Sequence, residues 1–95
     1  MPRYISLLKF TEKGAQGVKQ STERAHKFAE VAKKAGAKIE AQYWTVGRFD
    51  GVLVLSAAHA EQALRCVAEL AAAGYVRPQT LQAFTDQEFD GVLKS

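Results

Sequence analysis

Between Tyr43 and Gly51 the chain reads Tyr-Trp-Thr-Val-Gly-Arg-Phe-Asp-Gly and carries its only tryptophan. Arg48 and Asp50 stand two residues apart between glycines. A turn there presents a cation and a carboxylate together, able to hold an anionic ligand or to orient a partner's side chain. The simpler role is structural: Asp50 caps the turn through the backbone and Arg48 pairs with a carboxylate across a subunit contact. Tyr43 and Trp44 are neighbours in an extended run, so they point to opposite faces and are not expected to line one pocket. Each serves as aromatic core, or as the ring wall of a site for an apolar ligand.

The remaining candidates are two histidines and one cysteine. His26 borders an apolar helical stripe and is the better choice for an acid or base, whereas His59 stands near a helix start and reads as a surface residue. Neither has an acidic or cysteine neighbour at metal-ligand spacing, so a metal site is not expected. Cys66 reads as a small buried hydrophobe rather than a nucleophile. No phosphate-binding loop, dinucleotide glycine fingerprint, Gly-x-Ser-x-Gly or His-Glu-x-x-His occurs, and no cofactor is implied. The ligand-binding candidates are thus Tyr43, Trp44, Arg48, Asp50 and His26, and no residue is assigned a catalytic role.

The elements that position these residues follow from patterning. Ninety-five residues, 47% hydrophobic and 24% charged, fit one domain spanning 1–95. Up to His59 there are ten basic and five acidic residues, and beyond it three basic and five acidic. Glu23 precedes Lys27 by four, as Glu30 precedes Lys34, so the basic excess reads as a solvated helix face and not a nucleic-acid footprint. A single cysteine excludes an intrachain disulfide. The apolar run after Arg3 breaks at Lys9, no stretch approaches a membrane span, and the expectation is a cytoplasmic protein.

Arg3 to Phe10 reads as a strand with Tyr4, Leu8 and Phe10 on one face and Ile5 and Leu7 on the other. Thr11 to Gly14 reads as a turn. A helix is expected from Ser21 or Thr22 to about Ala35, with a narrow stripe of Ala25, Phe28, Ala29, Ala32 and Ala35. Lys38 to Val46 suits a strand more buried toward its hairpin, with Ile39, Ala41 and Tyr43 on one side. Val52 to Leu55 is apolar on both faces and central. A second helix is expected over Ala60 to Ala73, with Ala60, Ala63, Leu64, Val67, Leu70 and Ala71 as its stripe and Gly74 closing it. Thr80 to Thr85 reads as a fourth strand starting after Pro78. Thr85 and Glu88 form a capping box that opens a short terminal helix with Phe89, Val92 and Leu93 on its apolar side.

The order β-α-β-β-α-β is an α+β, ferredoxin-like arrangement with a four-stranded antiparallel sheet and a short C-terminal helix. Right-handed crossovers put both main helices on one face. The central strands are nevertheless apolar on both faces, and a bare apolar sheet face favours association. A homodimer with sheets packed face to face is expected, with higher oligomers open. The alternative is that the terminal helix folds over its own sheet.

Three segments, Tyr4 to Thr11, Tyr43 to Asp50 and Thr80 to Thr85, resemble the GYD domain family, named for a Gly-Tyr-Asp motif near the hairpin. The likeness runs essentially end to end, with Phe49 where many members carry tyrosine. It implies a dimeric α/β barrel, a group that includes small monooxygenases, isomerases and ligand-sensing domains. Two functions follow as expectations: binding of an apolar or aromatic small molecule between sheet and helices, or an assembly role through protein contacts.

Overall fold

The computed structural model describes residues 1–95. Strand β1 (Arg3–Phe10) leads into a short helix α1 (Glu12–Gln16), a 3-10 turn (Val18–Gln20) and helix α2 (Ser21–Lys34). Strands β2 (Ala37–Trp44) and β3 (Gly51–Ala57) form a hairpin, followed by α3 (Ala60–Ala73), β4 (Val76–Ala83) and α4 (Asp86–Lys94). The sheet order is β2-β3-β1-β4 and every pairing is antiparallel, the ferredoxin-like topology. The two strands with apolar residues on both faces are the two central ones, as their composition requires.

Register decides which side chains meet the helices. Tyr4, Ser6 and Leu8 of β1 stand opposite Leu55, Leu53 and Gly51 of β3, and all six are buried. Against them pack Ala32 of α2 and Ala63 and Cys66 of α3, with Phe28, Ile39, Leu70 and Val76 at the margin. Ser6 is a fully buried hydroxyl under the helices, and its Oγ is satisfied by Thr80 Oγ1 on the neighbouring strand at 2.9 Å. Burial also pushes the Cys66 thiol up from 9.0 to about 11, which keeps it a neutral packing group.

Several expectations are corrected. The segment after Thr11 is helical, not a simple turn: Thr11 Oγ1 accepts from Gly14 N at 3.1 Å and donates to the Gly74 carbonyl at 2.6 Å, so the cap also ties β1 to the loop before β4. Helix α2 continues directly from the 3-10 turn, so Ser21 is already helical and its hydroxyl donates back to the Val18 carbonyl rather than capping. Leu64 and Ala71 face solvent, because the buried line of α3 runs through Ala63, Cys66, Val67 and Leu70. β4 begins four residues early and carries Pro78 inside it, which an edge strand tolerates.

In β2 a bulge between Ile39 and Ala41 inserts one residue. Ile39 pairs with Leu55 on the helix side, whereas Ala41 and Tyr43 pair with Val54 and Val52 on the opposite side. The single face expected for Ile39, Ala41 and Tyr43 is therefore split. The strand also becomes more exposed toward the hairpin, not less: Val46 lies fully in solvent.

The sheet face away from the helices carries Ile5, Leu7, Val52 and Val54, half-buried, and Tyr43 and Leu81, exposed. Helix α4 does not cover it. Phe89, Val92 and Leu93 are all more than half exposed, which corrects the fold-back alternative.

Candidate functional site

Helices α2 and α3 meet the sheet through small residues, and this creates a gap. Ala25 on α2 and Ala72 and Ala73 on α3 line a cleft of about 480 Å3 whose floor is Leu8, Phe10 and Leu53. Its aromatic wall comes from Phe28, Trp44 and Tyr75, and its charged groups are Arg24, Lys27, Asp50 and Glu69. The volume falls within the range of small-molecule sites. Larger side chains at the alanine positions would fill it.

The cleft is held at one end by the hairpin. Thr45 N donates to the Asp50 carbonyl at 2.9 Å, and Thr45 Oγ1 donates to the Phe49 carbonyl at 2.6 Å. Gly47, at φ +125, takes a backbone conformation that L side chains rarely adopt. Asp50 then extends the β3–β1 ladder by one step: its N–H donates to the Leu8 carbonyl at 2.8 Å, and its Oδ2 accepts from Phe10 N at 2.8 Å. The carboxylate stands where a further strand residue's carbonyl would stand. It satisfies the last donor of β1, a partner across the sheet and not in its own turn.

The other end is held around Tyr75. The Arg24 guanidinium lies 4.2 Å and the Lys13 ammonium 4.4 Å from its ring centroid. Arg24 Nη1 also donates to the Gly17 carbonyl at 2.7 Å, and Lys13 Nζ to the Ala73 carbonyl at 3.3 Å. Gly14 is packed so closely beneath this corner that an added Cβ would sit 1.9 Å from the Tyr75 carbonyl oxygen. These contacts fix the ring as a rigid wall.

Of the residues singled out from sequence, Tyr43, Trp44 and Asp50 border the cleft. By register Trp44, opposite Gly51, stands on the helix side with the cleft, whereas Tyr43, opposite Val52, belongs to the open face, so these neighbours border the cleft without sharing a face of the sheet. Arg48 and His26 do not border it. Arg48 is exposed, 5.9 Å from the Phe49 ring centroid, and His26 lies on the solvent side of α2. His59 sits at the start of α3, where its N–H donates to Gln62 Oε1 at 3.1 Å. Sequence reasoning passed over Phe10, Arg24, Phe28 and Tyr75. The signal for Phe28 was present, a lone large residue in an alanine stripe, but Tyr75 follows the helix-ending Gly74 and belongs to no periodic pattern.

No three of the His, Cys, Asp and Glu side chains converge as metal ligands, and no helix is long and apolar enough to cross a membrane.

The model of the GYD domain matches residues 4–93, nearly the whole chain. The chain belongs to the GYD domain family. A relative from Thermus thermophilus, the "Glutamine synthetase and cystathionine beta-lyase binding protein", is 33% identical over 95 residues, covering 99% of this chain and all of that one. Among solved structures, FFRP-DM1 superposes on this GYD domain with a TM-score of 0.64 at 12% identity, over 88% of this chain and all of that one. TTHA0845, also from Thermus thermophilus, gives 0.56 at 20% identity, over 90% and 95% of the two chains. MtbAldR gives 0.61 at 14% identity over 90% of this chain, which spans 52% of that one. These three likenesses concern the fold.

Proposed function

We infer that this GYD domain is an accessory protein that acts through protein–protein contacts, with metabolic enzymes such as glutamine synthetase or cystathionine β-lyase as partners. The observation that carries this reading is the end-to-end match with a relative named for binding those two enzymes. The fold is compatible with it, because a small chain with a bare apolar sheet face offers surface for assembly. That face we assign to a second copy, sheet against sheet, giving a homodimer.

The experiment is direct titration of the purified protein against each enzyme from its own organism, read by interferometry or calorimetry. Saturable binding to at least one enzyme is expected. No binding to either up to about 100 μM, a range that covers weak regulatory complexes, refutes the reading.

The cleft supports a second reading, binding of an apolar or aromatic small molecule between sheet and helices. Its support is a 480 Å3 space beside Phe28, Trp44 and Tyr75. Trp44 is the sole tryptophan and reports on the site directly. A ligand entering the cleft quenches or shifts its emission, and Phe28→Ala weakens that response. Substituting Arg48, which lies outside the cleft, leaves it unchanged.

A further inference from the structure

Helix α4 buries no side chain against its own chain; beyond its cap, only the charge attraction of Glu88 to Arg3 and the N-terminal amine ties it to the body. Every residue from Thr85 to Ser95 is exposed, including Phe89, Val92 and Leu93, and Phe84 just before it is 60% exposed. Isolated helices shorter than about 12–15 residues are marginal in water. This one has nine residues and contains Gly91, a poor helix former. Its capping box is complete: Thr85 N donates to Glu88 Oε1 at 2.8 Å, and Glu88 N donates to Thr85 Oγ1 at 3.1 Å. A capping box closes one end and buries nothing. The apolar stripe needs a surface.

The same chain leaves one surface bare that fits in both chemistry and charge. On the open face, the β1–β4 half presents Ile5 and Leu7 beside Leu81, flanked by Arg3, Lys9 and Arg77. It carries three cations and no acid. Helix α4 carries Asp86, Glu88 and Asp90 against Lys94 alone, a net of −2 counted as one base minus three acids. An acidic helix with an apolar stripe meets a basic strand pair with an apolar centre.

We propose that α4 is an exchanged arm, and that its Phe89, Val92 and Leu93 stripe packs on the β1–β4 half of a second copy's open sheet face. The proposal rests on the self-association reading above and adds the segment that closes the assembly. Two twisted sheets packed face to face diverge at their corners. A helix ~10 Å wide fills such a corner, and two-fold symmetry makes the exchange reciprocal.

The test compares the full chain with a version ending at Thr85, and with Phe89→Asp in the full chain, by sedimentation and hydrogen exchange across a concentration series. The truncation removes only exposed residues, so an unchanged melting profile of the diluted protein certifies the core. The expected result is a full-chain dimer of twice 10.4 kDa, a dissociation constant raised about tenfold or more in both variants, and α4 amides protected only where the dimer forms. A truncated chain that dimerises as tightly as the full one overturns the arm and leaves the sheet-to-sheet dimer standing. A full chain that stays monomeric removes both. Protection of α4 in the monomer, or only after an enzyme partner is added, also overturns the proposal, in favour of a fold-back helix or an enzyme-docking one.

Discussion

Replacing Asp50 with alanine tests whether this residue holds the hairpin to β1 or serves a ligand. Its carboxylate accepts from Phe10 N at 2.8 Å in a half-buried setting, and the substitution leaves that N–H without its partner. A hydrogen bond to a charged group contributes about 1.5–3 kcal/mol, and partial solvent access places this one near ~2 kcal/mol. For a domain of this size each kcal/mol moves the melting temperature by about 4–8 °C. Asp50→Ala is therefore expected to melt roughly 8–16 °C lower. Asp50→Asn keeps an acceptor and is expected to lose about half as much. Urea unfolding followed by Trp44 fluorescence gives the free energies, and the hairpin and β1 amides of Leu8 to Phe10 are expected to exchange faster in the alanine variant. A loss below about 0.5 kcal/mol in Asp50→Ala, the level of an ordinary surface change, refutes the structural role and returns the carboxylate to the list of ligand groups.

Gly14→Ala places a methyl 1.9 Å from the Tyr75 carbonyl oxygen, against backbone that cannot swing aside. A cost of about 1–3 kcal/mol or more is expected, measured by denaturation, with loosening of α1 visible in exchange. The Cys66 thiol is expected to resist Ellman's reagent at pH 8 until the protein unfolds. Because its folded pKa is raised from 9.0 to about 11, its contribution is intact below pH 9 and is lost as pH rises through 11; alkaline unfolding in that window is expected to weaken in Cys66→Ala. Glu88 shows the opposite sign: the Thr85 backbone and side-chain hydrogen bonds lower its pKa from 4.5. Its capping contribution is present above 4.5 and lost as pH falls through the lower folded value, which the Thr85 amide shift in an NMR titration is expected to follow.

The two-sided apolar character of β1 and β3 made the strand order and the layering legible from sequence, because only interior strands with cover on both faces sustain it. The glycine after α3 marked that helix end for the same kind of local reason: Gly74 sits at φ +85. The bulge at Ile39 was not legible. Alternation in β2 is intact in the sequence, and the extra residue shows only when β3 supplies the register. The rotation of the α3 stripe onto Cys66 was likewise set by what lies beneath it. For the candidate site, Trp44 and Asp50 were found through their residue types, but Asp50's partner lies forty residues away and no local pattern contains it. Arg24 and Tyr75 form a corner only because α1 brings Lys13 and Gly14 against the start of β4.

The two margins of the sheet share a property that bears on how copies meet. β2 is interrupted by the bulge between Ile39 and Ala41, and β4 carries Pro78 in its middle. A bulged rim cannot continue a regular ladder, and a proline rim lacks a donor. Chain-to-chain growth by adding strand upon strand, the route to fibres, is obstructed on both sides. What stays open to a neighbouring molecule is the broad surface between those rims, and the two-fold pairing proposed above would close on itself there rather than propagate without end.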